Sequence, residues 1–164
     1  MSSLRIELGQ GFRASFMTRH SEWMLALSMM LGGWVFLLPF DIYDRSPFWW
    51  AMRAWVSEDV LGSVLIILGV TRAVVLGMNG AFRPLYHFQM LFAVLGMLLW
   101  LTLCFAMMGS GEIGFWVAIF PVFTLAEIVN ALRAAGDAGR NDVRVAKMKA
   151  ARAEMVQGQP GHAR

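Results

Sequence analysis

The stretch VLGSVLIILGVTRAVVLGM, residues 60–78, decides how the rest of the chain is read. Apart from Arg72 it carries no charged side chain. As a helix it would rise about 28 Å at 1.5 Å per residue, close to the ~30 Å hydrocarbon thickness of a bilayer. A guanidinium keeps its proton in any protein setting, so an apolar span that carries one must turn it toward a partner or water. The last apolar span of the chain holds a single acid, Glu127, which is the natural partner.

Working outward from this stretch, three further apolar runs appear. The reading gives spans at about 23–40, 60–78, 88–108 and 113–132, and the fold class is an all-α membrane protein built as a four-helix transmembrane bundle. Ser21 is expected to cap the first span, with Glu22 in its first turn. Pro39 closes that span, and Pro121 is expected to kink the last one. Asn79-Gly80 reads as a helix C-cap and turn. Gly109-Ser110-Gly111-Glu112 is short enough to make spans three and four antiparallel neighbours. Composition agrees: 58% of the 164 residues are hydrophobic and only 15% are charged, which a soluble domain of this size would not tolerate.

The polar segments fall into distinct classes. Residues 1–20 carry Leu4, Leu8, Phe12 and Phe16 at spacing four, an interfacial segment on the cytoplasmic side. Residues 41–59 are acidic and rich in tryptophan. Pro47–Val56 reads as a short periplasmic helix on the membrane surface, and Trp23, Trp49, Trp50 and Trp55 read as interfacial anchors. From residue 133 to 164 the chain turns basic, and Asn141-Asp142 is expected to cap a separate final helix running to about Gln157. Its Arg140, Arg144, Lys147, Lys149 and Arg152 are candidates for contact with anionic lipid or a cytoplasmic protein.

Orientation follows from Lys and Arg. Eleven lie in the N-terminal arm, the 81–87 loop and the C-terminal segment, against two, Arg45 and Arg53, on the other side. Both termini are therefore expected in the cytoplasm, in a bacterial inner membrane. The pI of about 9.6 is an outcome of this asymmetry. Without a nucleic-acid-binding motif beside it, nucleic acid is not an expected partner.

Depth makes the Arg72–Glu127 pair credible, since both residues lie about 10 Å inside the same membrane face. Asn130 or Thr71 is placed to take a spare hydrogen bond. Gly69, Ala73 and Gly77 form a row of small residues on the second span that would let another helix approach closely. The single cysteine, Cys104, sits in an apolar run and reads as packing. His20, His87 and His162 are scattered, and Asp41 with Asp44 lacks a third ligand, so neither metal nor any other cofactor is expected.

Several membrane families are excluded residue by residue. Small multidrug transporters need an acid in the first span, lipoprotein signal peptidases need two intramembrane aspartates, and disulfide-generating oxidoreductases need paired cysteines. By contrast, Arg19-His20-Ser21-Glu22-Trp23 leading into a glycine-containing span, the tryptophan-rich loop, and Leu68-Gly69-Val70-Thr71-Arg72 with Asn79-Gly80 resemble small membrane proteins encoded by tailed bacteriophages and prophages. The resemblance covers roughly residues 19–135. It implies a host inner-membrane location and a role in infection or lysis, and it brings no catalytic residues. The expected function is a non-enzymatic scaffold or interaction subunit, able to form homo-oligomers. The alternative is a holin-like pore or a small transporter built on the Arg–Glu pair.

Overall fold

A computed structural model describes residues 19–81, 85–111 and 114–157. Residues 1–18 of the expected N-terminal interfacial segment, Arg83, Glu112 and the final residues after 157 lie outside the described residues, while Arg19 and His20 belong to the start of the first helix. The elements, in chain order, are α1 (His20–Phe36), α2 (Ile42–Arg45), α3 (Pro47–Arg53), α4 (Glu58–Ala81), α5 (Tyr86–Ser110) and α6 (Trp116–Gln157), and the described residues contain no strand.

Among the described residues three helices are long and apolar enough to cross a membrane: α4, α5 and α6. Their outward faces carry large apolar side chains in rows, such as Val60, Val64, Ile67, Val70 and Val74 on α4 and Leu91, Leu95 and Leu98 on α5. So extended an exposed apolar belt is incompatible with water and suits acyl chains. α1 has 17 residues, about 25 Å of helix, and it too exposes Leu27, Leu31, Trp34 and Val35.

The helices pack as two antiparallel pairs, α1 along α4 and α5 along α6, with sparser contact between the pairs. The first pair approaches closely because glycines face each other. A Cβ on Gly33 would lie 2.5 Å from the Gly62 carbonyl oxygen, and one on Gly69 would lie 2.8 Å from the Ala26 oxygen. No side chain fits at either position. The close-contact row on α4 is thus Gly62 and Gly69. At Gly77 a Cβ would meet only the Trp23 ring, at 4.0 Å, and Ala73 is half-buried, which corrects the expected row of Gly69, Ala73 and Gly77. At Gly111 the chain turns out of α5 with φ +70°, a left-handed cap that glycine adopts at no steric cost.

The interior has two storeys. In the half nearest α2 and α3 it is apolar: Met29, Phe36, Leu65, Trp100, Leu103, Met107 and Phe120 form a continuous cluster, closed from above by Tyr43 and Met52. In the other half it is polar, and the buried groups there include Arg19, Glu22, Arg72, Gln89, Glu127 and Asn130.

Three local expectations need correction. Ser21 does not cap α1. Arg19 occupies the cap position, and the Ser21 hydroxyl instead donates to Asn130 Oδ1 at 3.2 Å. Asn141-Asp142 does not begin a separate helix, because α6 runs unbroken from Trp116 to Gln157. The stretch after Leu132 is alanine-rich, Ala134 and Ala138 are buried, and Asp137 is bonded to Arg19, so helix propensity and packing carry the helix through Gly136 and Gly139. Trp49 is not a free anchor: its ring packs edge-on to Phe36 at 4.8 Å and stacks on Tyr43. Trp50 and Trp55 are exposed, as anchors must be, while Trp23 is half-buried against α4.

Candidate functional site: a buried ion-pair network

Arg72 and Glu127 meet inside the protein. Their side chains are 4% and 0% exposed. Arg72 Nη2 donates to Glu127 Oε2 at 2.7 Å and Nη1 donates to Oε1, a two-pronged fork that fixes the mutual orientation of α4 and α6. Gly96 on α5 makes this possible, because a Cβ there would lie 2.5 Å from Glu127 Oε1. Asn130, one turn further along α6, donates to Glu127 Oε2 at 3.5 Å and accepts from Ser21 of α1. Thr71 takes no part; its hydroxyl bonds back to the Ile67 carbonyl.

A second buried cluster lies beside the first, and sequence reasoning missed it. Arg19 Nη1 donates to Glu22 Oε1 at 3.0 Å and to Gln89 Oε1 at 2.8 Å, and Nη2 donates to Asp137. The guanidinium also lies over the Tyr86 ring, 5.7 Å from its centroid. Glu22 is 1% exposed and within electrostatic reach of Arg72 and Glu127, so the two clusters form one field. Gln89 Nε2 is buried and has no hydrogen-bond partner among the described residues. Asp137 also accepts from the exposed Arg140 at 2.7 Å, which links the buried cluster to the surface.

The signal missed was burial, not residue type. Arg19 and Glu22 sit at the edge of an apolar run, where charges are ordinary. Only the arrival of α5 and α6 against the start of α1 encloses them. Together α1, α4, α5 and α6 each contribute at least one polar group, so the network clamps all four. The ions balance internally, two arginines against Glu22 and Glu127, with Asp137 shared at the rim. Such an array adds little net stability, because desolvation offsets attraction, but it penalises any packing that separates the partners.

The remaining candidates are peripheral. His20 and His87 are exposed, and His87 Nε2 lies 3.4 Å from Asp142 Oδ2. Cys104 is half-buried with its Sγ 3.9 Å from the Thr124 hydroxyl. Among the described residues no group of three or more His, Cys, Asp or Glu side chains could hold a metal ion. Arg140, Arg144, Lys147, Lys149 and Arg152 are all exposed along the last part of α6. In comparisons with protein-family models, curated proteins and solved structures, none matches this chain.

Proposed function

We propose that this chain is a non-enzymatic, four-span subunit of a bacterial inner membrane that docks a cytoplasmic protein through the extension of α6. The observation that carries this is the continuity of α6, which spans 42 residues. That is about 63 Å of helix, roughly twice the hydrocarbon thickness. His87, at the start of α5, lies level with Asp142. Beyond that point α6 continues without α5 beside it, as a strut fixed at its base by the ion-pair network.

Charge on the strut is ordered. At 100° per residue, Arg133, Arg140, Arg144 and Lys147 fall within an arc of about 60°, while Lys149 and Arg152 point elsewhere. The stripe is about 21 Å long. A bilayer surface attracts basic residues only within a Debye length, about 8 Å at physiological salt. A helix standing out of the membrane therefore offers most of this stripe to an acidic protein surface. The resemblance to phage membrane proteins makes other phage-encoded envelope components the first partners to test.

Ala151 lies on the same stripe, and a photo-crosslinking residue placed there should trap a discrete protein in cells. Reversing Arg140, Arg144 and Lys147 to Glu should abolish that product. A stripe that traps no protein would remove the docking reading.

The buried network favours a second reading, a proton- or ion-linked transporter. The apolar storey, with Met29, Phe36, Trp100 and Phe120 at its centre, opposes it by repelling ions. Reconstituted protein that passes ions above empty liposomes, with loss of flux in Arg72→Ala, would put the transporter reading first.

A further inference from the structure

The two helix pairs part near α2 and α3 and leave a cleft of ≈ 620 Å³ between them. Leu31 and Val35 of α1 form one wall and Trp116 and Phe120 of α6 the other, with Trp49 and Trp100 among the remaining lining. Leu31, Val35 and Trp116 are also exposed on the outer surface, so the cleft opens sideways toward lipid. Its volume lies within the ~300–1,000 Å³ of ordinary small-molecule sites. From Ser28 to Phe36 it follows α1 for about 12 Å, nearly one leaflet of hydrocarbon.

One charged side chain lines the cleft among the described residues: Arg45, in α2. It is exposed, and its guanidinium lies over the Phe40 ring, 5.6 Å from the centroid. Its neighbour Asp44 is bonded to Arg53 instead, and no described acid pairs with Arg45. The other acids of this region, Asp41, Glu58 and Asp59, line a different pocket. An apolar slot about a leaflet deep, with one open cation at its aqueous end, matches an acyl chain attached to an anionic headgroup.

We propose that this cleft binds one acyl chain of an anionic phospholipid, with the headgroup phosphate held by Arg45. The site is separate from the α6 stripe and does not depend on what α6 docks. Gly32 provides a clean probe. It lines the cleft, and a Cβ built on it meets no atom within 4 Å. A larger side chain there starts from an unobstructed Cβ and projects into the cleft.

The test is native mass spectrometry of the detergent-purified full chain, with phosphatidylglycerol or phosphatidylcholine of identical acyl chains added. One retained phosphatidylglycerol per chain is expected, favoured over phosphatidylcholine by roughly fivefold, the effect of one basic residue on an anionic headgroup. Arg45→Gln should bring the two lipids level. Arg53→Gln, outside the cleft, should leave the preference intact. Gly32→Phe should remove both adducts without lowering the thermal midpoint. Equal retention of the two lipids, a preference that survives Arg45→Gln, or an adduct that survives Gly32→Phe would each overturn the proposal. Should Gly32→Phe fail to fold, Arg45→Gln decides alone.

Discussion

Glu127 is shut off completely from the surface, and in place of water it accepts hydrogen bonds from Arg72 and Asn130 in the space left by Gly96. Truncating one partner strands the other charge. Arg72→Ala or Glu127→Ala should each cost about 3–5 kcal/mol, read as a lower unfolding midpoint or folded yield in detergent. The exchange Arg72→Glu/Glu127→Arg should recover only part, because an arginine beside Gly96 needs more room than a carboxylate. Single variants that match wild type, with an exchange no better than either, would mean the pair contributes nothing. Arg19 should behave in the same way, since Arg19→Ala leaves Glu22 and Gln89 unpaired at once and Asp137 with Arg140 alone. Tyr43 gives a pH-dependent test outside the spans. Its burial, and then the nearby Glu58 charge, push its pKa up to about 12, against about 10 in an unfolded chain. The folded protein therefore holds this proton more tightly. Its contribution is complete below about pH 10 and is lost as pH rises toward 12. The thermal midpoint should be level up to about pH 10 and decline above it, and Tyr43→Phe should reduce the decline. Arg72 and Glu127 were legible in the sequence because a charge inside an apolar run is rare. Arg19, Glu22 and Gln89 were not, because they border runs, and burial at a border is decided by which helix arrives there.

At the scale of elements, α1 and α4 are held together by backbone proximity. Gly33 and Gly62 face each other so closely that neither accepts a Cβ without displacement. Gly33→Leu or Gly62→Leu should force the helices apart and cost at least ~1–3 kcal/mol, the usual penalty of overpacking. Gly32→Ala, one residue away on an open face, should leave the thermal midpoint unchanged or raise it slightly, since alanine favours helix. Equal effects at positions 32 and 33 would contradict this contact. Helix existence was readable from apolar runs, whereas the pairing of glycines was not. Small residues recur along α4, and only the register of α1 selects Gly62 and Gly69 from them. The unbroken α6 was hidden for a related reason. Asn141-Asp142 is a sound capping signal in isolation, but Ala134, Ala138 and the Asp137–Arg19 bond commit the preceding turns to helix.

At the scale of the whole molecule, topology turns on whether α1 crosses the membrane with α4, α5 and α6. Its two ends contact opposite ends of its neighbours. Arg19, at its start, bonds to Gln89 near the start of α5 and to Asp137 on α6. Gly33, near its end, touches Gly62 in the first turns of α4. A helix with such contacts runs alongside α4, 17 residues against 24; four crossings would put both termini on one side. With three crossings they would lie on opposite sides, while residue 46 would still oppose the C-terminus. A reporter at Ser46 therefore cannot separate the two cases, and a label at the N-terminus can. In a Cys104→Ser background, a cysteine placed at Ser3 should be protected from a membrane-impermeant thiol reagent in intact cells and react once the membrane is opened. A periplasm-dependent reporter fused after Arg164 should be silent, and one inserted near Ser46 should be active, the outcome expected from the eleven-to-two distribution of Lys and Arg. Labelling of Ser3→Cys in intact cells with a silent C-terminal reporter would reduce the molecule to three spans and leave α1 a helix leaning on its flank. An active C-terminal reporter would invert the orientation and place the α6 stripe in the periplasm, where a cytoplasmic partner could not reach it.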